Sequence, residues 1–277
     1  MLIRVGSRGS RLALTQAELA ASRLRAPGIE IALVPITTAG DRDRSRPFGQ
    51  IGERGVFVKE LEEALLEHRI DVAVHSAKDM TSTDPAGLAV GAYLRRDDPR
   101  DALCGADAIR PGMRVGTASA RRKAQLLALE PTLSIEPLRG NIDTRLRKRG
   151  ERGLDAVVLA ACGLDRLGLG GEIGRRFDPD ELLPEAAQGA LALQVRAGEE
   201  HLVAAADDAE TRARVEAERA CVAAVGGGCL APVAAHHDGT RLVGLVAAED
   251  GSWLERREGD DADALGRELA ALAASRA

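Results

Sequence analysis

Four places along the chain put reactive groups just beyond an apolar run. After "LIRVG" come Ser7, Arg8 and Ser10; after "MRVG" come Thr117, Ser119, Arg121 and Arg122; after "LSIEPL" come Arg139, Gly140 and Asn141, with Arg145 a turn further on. Ligands of α/β sheets sit beyond the C-terminal ends of strands, where the following helices aim free N–H groups at them. Ser119 and Asn141 are plausible N-caps, and any one of these clusters reads equally well as a cap beside a solvated face. Guanidinium groups at several helix starts oppose the helix dipole unless an anion joins them, so together they suit a ligand with several carboxylates or phosphates. The fourth place is "DVAVHSAKDM", where a strand runs into His75, Ser76, Lys78 and Asp79. A carboxylate there could stabilise a developing cation or move protons, or simply pair with Lys78 or cap a turn; His75 reads as a packing residue.

A fifth feature is "AVGGGCLAP", which leaves Cys229 behind three glycines. The glycines could merely end a helix, with the cysteine a small apolar residue. They could also free the thiol to carry something. The spacing of Cys221, Cys229, His236 and His237 fits no usual zinc pattern, so no metal site is expected. A cysteine hydrolase is open on spacing but lacks a nucleophile-elbow context, and the glycine run is not a P-loop.

Elements that must hold these groups alternate. "LALTQAELAASRLR", "VFVKELEEALLEHR", "ARRKAQLLALE" and "NIDTRLRKRG" carry helical patterns between short apolar runs, which predicts parallel sheets with helices on both faces. "LRRDDPRD" and "RFDPDELLPEAAQGA" interrupt the periodicity, and "LALQVR" supplies a strand that could return to the first domain. After "AETRARVEAERACVAAV", the stretch "RLVGLVAAEDGSWLERRE" reads as an antiparallel hairpin turning at Asp250-Gly251, followed by an amphipathic helix. The expected organisation is a first α/β domain of 1–96 plus about 188–208, a second of 97–187, and a small α+β third domain of 209–277. Segment 39–55 is polar and aperiodic, a surface loop or a lid.

With 277 residues, 45% apolar and only 2% aromatic, the chain can bury an aliphatic core spread over two or three domains. A net charge of −5 argues against a general nucleic-acid or membrane-surface binder. Four scattered cysteines, no signal-like apolar run at the start and no membrane-length segment lead to the expectation of a reduced, cytoplasmic, soluble protein.

The motifs "GSRGSRLALTQA", "GVFVKELEEALLEHRIDVAVHSAKD", "RDDPRDAL", "VGTASARRKAQL", "LRGNIDTRL", "LDAVVLAACGLDRLGL", "AAQGAL" and "GGGCLAP", in this order, resemble the porphobilinogen deaminase (hydroxymethylbilane synthase) family. The resemblance implies two α/β domains like periplasmic binding proteins with a cleft between them, plus a small C-terminal domain. It implies the head-to-tail condensation of four porphobilinogen molecules with loss of ammonia, then hydrolysis to the linear tetrapyrrole hydroxymethylbilane. The chain would grow on a dipyrromethane cofactor attached through Cys229, with Asp79 as the catalytic aspartate. Arg8, Arg121, Arg122, Arg139 and Arg145 would bind acetate and propionate groups, with Ser10, Thr117 and Ser119 as further donors and Lys78 and Gln16 as cofactor or substrate contacts. Segment 39–55 would be the loop over the site, containing Arg54, where relatives often have Lys, and followed by Phe57, placed to pack on a pyrrole. Thr81, Ala187 and Leu230 depart from the usual residues. The family works as a monomer, which is the expectation here, with no nucleic acid or membrane as partner. The competing class is a cytosolic polyanion-binding protein without catalysis, which would need neither Cys229 nor Asp79.

Overall fold

The computed structural model describes residues 1–37, 58–81, 85–226 and 232–276. Its first five-stranded sheet runs β2 (Glu30–Ile36), β1 (Leu2–Arg8), β3 (Val72–Ser76), β10 (Leu191–Arg196) and β4 (Leu88–Tyr93). The second runs β7 (Ser134–Glu136), β6 (Arg114–Gly116), β8 (Ala156–Ala160), β5 (Asp101–Cys104) and β9 (Ile173–Arg176). A third sheet of three strands is antiparallel: β11 (Val233–His237), β12 (Leu242–Ala247) and β13 (Leu254–Gly259). The helices are α1 (Arg11–Leu24), α2 (Lys59–Leu66), α3 (Ala120–Leu129), α4 (Ile142–Glu151), α5 (Ala161–Arg166), α6 (Ala209–Val225) and α7 (Ala262–Arg276).

The expectation of parallel sheets holds for the pairings among three strands of each large sheet and is corrected for the pairings of the other two. In the first sheet β1 is parallel to β2 and β3, but β10 is antiparallel to both β3 and β4. The second sheet repeats this layout: β6 is parallel to β7 and β8, while β5 is antiparallel to β8 and β9. The reason is connectivity. The chain passes from β4 directly into β5, and from the second sheet back into β10, without the helical crossover that keeps neighbouring strands parallel. The returning strand is a central one, and its run of five buried residues, Leu191 to Val195, reads accordingly as nearly continuous apolar sequence. Pro35 is tolerated in β2 because that strand lies at the sheet edge.

The chain divides into two compact units, Met1–Asp97 with Gly189–Ala213, and Asp98–Gln188 with Arg214–Ala277. The first is built on Ile3, Val5, Val72, Leu191 and Leu193 packed against Ala20 and Leu24 of α1. Those helix positions belong to the buried stripe Ala13, Ala17, Ala20, Ala21 and Leu24, spaced as one helical face. The second unit holds two sheets because α3 packs on both. Leu126 faces Val115 and Val158 of the second sheet, while Ala124 and Leu183 join Ala234, Val243, Leu245 and Ala247 of the third. The hairpin reading of β12 and β13 holds, with Gly251 in the turn at φ 72°.

Gly189 begins the return into the first sheet. Its φ is 92°, in the left-handed region, and a Cβ there would lie 2.5 Å from the Asp97 carbonyl oxygen. Ala187 is itself left-handed at φ 64°, and its N–H donates to Glu218 Oε2 at 2.6 Å. Backbone strain and a clash with main chain act together at Gly189, so Gly189→Ala is expected to cost about 2–4 kcal/mol. Urea unfolding checks this; a midpoint within error of wild type would show that the turn relaxes freely.

Candidate functional site

In the first unit, β1 and β3 are parallel neighbours with Val5 opposite Val72 and Gly6 opposite Ala73, so both strands end at the same sheet edge. Arg8 closes β1, and Ser10 caps α1, accepting from Ala13 N–H at 3.3 Å. The Ser10 hydroxyl proton stays available to a ligand while its oxygen holds the helix. Gln16 is buried on the α1 face that meets the sheet. Beyond β3 a 3-10 turn, Ala77–Asp79, carries Lys78 and Asp79. Buried Ala77 and Met80 pin the turn, and Ala77 N–H donates to the Ala190 carbonyl of the returning segment at 3.1 Å. Lys78 is left half-buried and Asp79 exposed, so the carboxylate is presented at the strand end.

His75 takes no part at that edge. It is buried, its Nε2 lies 3.0 Å from Gln194 Oε1, and Gln194 in turn donates to Glu62 Oε1 at 3.2 Å. Burial pushes the imidazole down to about 4, against a weaker upward pull from Gln194, so it is neutral at pH 7 and donates from Nε2. The packing role expected of it stands.

In the second unit, β6 and β7 deliver the other cluster. Thr117 is buried and its Oγ1 accepts from Ser119 N–H at 3.2 Å, while Ser119 Oγ caps α3 through Arg122 N–H at 3.4 Å. Asn141 sits at the N-cap of α4 but makes no side-chain capping bond. Arg145 Nε donates to the Gly140 carbonyl at 2.7 Å, and the Arg139 carbonyl accepts from Lys148 Nζ at 3.2 Å. These contacts fix the turn after β7.

Arg121 and Arg122 do not lie on a solvated face; both are buried on Asp101, which has no exposed surface. Arg121 Nη1 donates to Asp101 Oδ2 at 2.8 Å and to the Leu183 carbonyl at 2.7 Å. Arg122 reaches Asp101 Oδ1 through Nε at 3.1 Å and Nη2 at 2.7 Å, and the Val158 carbonyl through Nη1 at 3.1 Å. Gln188 Nε2 completes the node by donating to Asp101 Oδ1 at 2.9 Å and to the Pro99 carbonyl at 2.7 Å. Desolvation alone would raise the Asp101 pKa, but the two guanidinium charges outweigh it and hold the carboxyl well below the usual carboxylate range. One edge of Arg121 is left over: Nε and Nη2 are buried and have no acceptor among the described residues. A guanidinium edge of that kind matches the two oxygens of a carboxylate.

Asp101 and Gln188 do not stand out in the sequence, although both lie inside quoted motifs, "RDDPRDAL" and "AAQGAL". The available signal is the arginine pair in the first turn of a helix, which demands an anionic partner somewhere in the chain. Arg54, Phe57 and Cys229 lie outside the described residues. Cys104, Cys162 and Cys221 are buried, and burial pushes the Cys104 and Cys221 thiols up to about 11, so neither is a ready nucleophile. Among the described residues no group of three or more His, Cys, Asp or Glu side chains is arranged to hold a metal ion.

Comparison with known proteins decides the family. Residues 3–204 match the model of the porphobilinogen deaminase dipyrromethane cofactor binding domain, and residues 212–274 match that of the porphobilinogen deaminase C-terminal domain. The chain belongs to the porphobilinogen deaminase family. It is 45% identical to the porphobilinogen deaminase of Roseiflexus sp. (strain RS-1) over 96% of this chain and 93% of that protein. Identity to the Thermus thermophilus protein of the same name is 46%, over 96% of this chain and 93% of the relative. Among solved structures, immunogenic lipoprotein A from Vibrio vulnificus is similar over 76% of this chain and 97% of that one, at 14% identity and a TM-score of 0.46. As a member of its family, the chain is a transferase of tetrapyrrole synthesis. It makes hydroxymethylbilane from porphobilinogen with a dipyrromethane cofactor, and the reading as a binder without catalysis falls away.

Neutral His75 makes a testable contribution to the pH dependence of folding. Its folded pKa lies near 4, below the ordinary value of about 6.5, so the unfolded chain binds more protons between these values. The stabilisation is therefore complete above about pH 6.5 and is lost as pH falls toward 4. Thermal melting followed across that window should show a shallower decline for His75→Gln than for wild type; equal slopes would mean that the imidazole is not held neutral.

Proposed function

We propose that the residues assembled at these strand ends are the working parts of hydroxymethylbilane synthesis, with Cys229 as the attachment point of the cofactor and Asp79 as the catalytic group. The observation that carries this reading is the half-used guanidinium of Arg121. A side chain only 3% exposed, with two nitrogens lacking an acceptor among the described residues, calls for an anion from outside the protein. Acetate and propionate groups on substrate and cofactor meet that need, so the donor set fits the dipyrromethane. Bound through its thioether, the dipyrromethane supplies the free pyrrole carbon to which the first substrate unit is joined.

This chain's own residues do the rest. Arg8 in the first unit and Arg121, Arg139 and Arg145 in the second bind carboxylates, with Thr117, Ser119 and Ser10 donating hydroxyl hydrogen bonds and Gln16 and Lys78 adding contacts to cofactor and substrate. Arg122, expected as a further carboxylate binder, has each side-chain nitrogen on a protein acceptor and instead holds Asp101. The exposed Asp79 carboxylate accepts from pyrrole N–H groups. There it stabilises the positive charge left on the substrate when ammonia departs and takes part in moving the proton released on coupling. Lys78, on the same turn, is a second point of contact for an anionic substrate. Arg54 and Phe57 act from the segment before α2, the first on carboxylates and the second on a pyrrole face.

The enzyme works as a monomer in the cytoplasm, without nucleic acid or membrane as partner. The net charge of −5 and the concentration of the described site arginines in local clusters support this. No helix among the described residues is long and apolar enough to cross a membrane.

Intact mass tests the attachment. Wild type should carry a shift equal to one dipyrromethane, absent in Cys229→Ser; an unshifted, soluble wild-type protein from a host able to supply the precursor would overturn it. Asp79→Asn should keep the shift and the fold while turnover falls by about 10²–10⁴-fold, the range for removing a general acid or base. Near-normal turnover would remove Asp79 from the mechanism.

A further inference from the structure

The buried node of the second unit contains two guanidiniums and one carboxylate, hence one positive charge in excess. The two arginines are not equivalent within it. Every side-chain nitrogen of Arg122 faces an acceptor on Asp101, Val158 or Gln188. Arg121 uses only Nη1 and keeps its Nε and Nη2 edge without an acceptor among the described residues. Asp101 makes this difference. One of its oxygens, Oδ1, takes the Arg122 fork and the Gln188 amide, and the other takes a single N–H of Arg121. Glu185, half-buried nearby, adds a weaker negative field at Arg122.

We propose that Asp101 is a positioning and specificity-determining residue. It cancels one of the two buried charges and turns Arg121 so that its remaining edge receives one carboxylate of cofactor or substrate. The argument is one of charge and geometry. Two bare guanidiniums would favour a doubly charged anion such as sulfate, and would have no fixed orientation. With Asp101 in place the surplus is a single charge on a single edge, which complements an acetate or propionate and discriminates against a dianion. The side-chain partners of Asp101 are Arg121, Arg122 and Gln188, so it acts through Arg121. The proposal rests on the reading that this node binds the carboxylates of cofactor and substrate.

Asp101→Asn and Asp101→Glu, purified alongside wild type, test it. Three readouts apply: the fraction of protein carrying the dipyrromethane mass, the separate kcat and KM for porphobilinogen, and inhibition by inorganic sulfate. Asp101→Asn should raise KM by about tenfold or more while kcat changes less, lower the loaded fraction, and strengthen sulfate inhibition by on the order of tenfold, the scale of one charge-assisted hydrogen bond. Asp101→Glu, which keeps the charge but moves it by a methylene, should recover wild-type sulfate sensitivity and only part of the KM. An Asp101→Asn protein that loads fully, with wild-type KM and no gain in sulfate sensitivity, overturns the proposal. If that variant does not fold, Asp101→Glu decides: wild-type KM with full loading would show that the carboxylate's position is immaterial. A wild-type protein without the dipyrromethane mass would instead defeat the underlying reading.

Discussion

A carboxylate with no exposed surface, Asp101, lies between two buried guanidiniums, and much of the second unit is arranged around that contact. Removing one partner from such a group typically costs about 3–5 kcal/mol, because the remaining charge is stranded away from water. The node therefore has to be assembled completely, and its members come from widely spaced parts of the chain. Asp101 opens β5, Arg121 and Arg122 form the first turn of α3, Val158 belongs to β8, and Leu183 and Gln188 come from the segment before the return strand. Gln125, one turn along α3, repeats the tie by accepting from Leu183 N–H at 2.7 Å and donating to its carbonyl at 3.1 Å. A helix start with two arginines and no acidic residue would be unfavourable alone. Asp101 makes it tolerable, and Arg121 keeps two buried nitrogens without an acceptor among the described residues.

A second buried carboxylate serves the third sheet in a similar way. Glu218 of α6 has a fully buried side chain and accepts from Ala187 N–H at 2.6 Å and His237 N–H at 2.7 Å, with His236 Nδ1 at 3.1 Å. It ties the helix before Cys229 to the strand after it, and both to the left-handed turn at Ala187. Ala187 has φ 64°, a left-handed conformation costly for a residue with a Cβ, and this hydrogen bond ties it to α6. Gly189 then lets the chain pass close to Asp97 and enter the first sheet as β10, whose preceding Ala190 carbonyl accepts from the turn that carries Asp79. Backbone geometry next to β10 thus bears on the turn that carries Asp79.

Much of this was legible in the residues. The period of "LALTQAELAASRLR", the hairpin around Gly251 and the cap at Ser119 are local matters, decided by neighbours a few positions apart, and they read correctly, whereas Asn141 makes no side-chain capping bond. The direction of strands was not local. "LALQVR" and "DALC" look like any buried strand, and nothing within them tells that each inserts antiparallel between strands of distant origin. The site followed the same division. Arg8, Lys78, Asp79, Arg121 and Arg122 stood out because strand ends followed by polar residues are a sequence pattern. Asp101 and Gln188 did not, because an acidic residue at the start of a strand and a glutamine in a loop join a buried charged node only through what faces them.

The sequence by itself determined the family, the helical and hairpin segments, and which residue types stand at the strand ends, since these depend on order and short spacing along the chain. Tertiary structure alone decided that the paired arginines would be buried on one carboxylate, that one of them would keep two nitrogens without an acceptor among the described residues, and that burial would push the His75 imidazole pKa down. Charge compensation and desolvation act through space between residues tens of positions apart, and only the folded chain brings those residues within hydrogen-bonding distance.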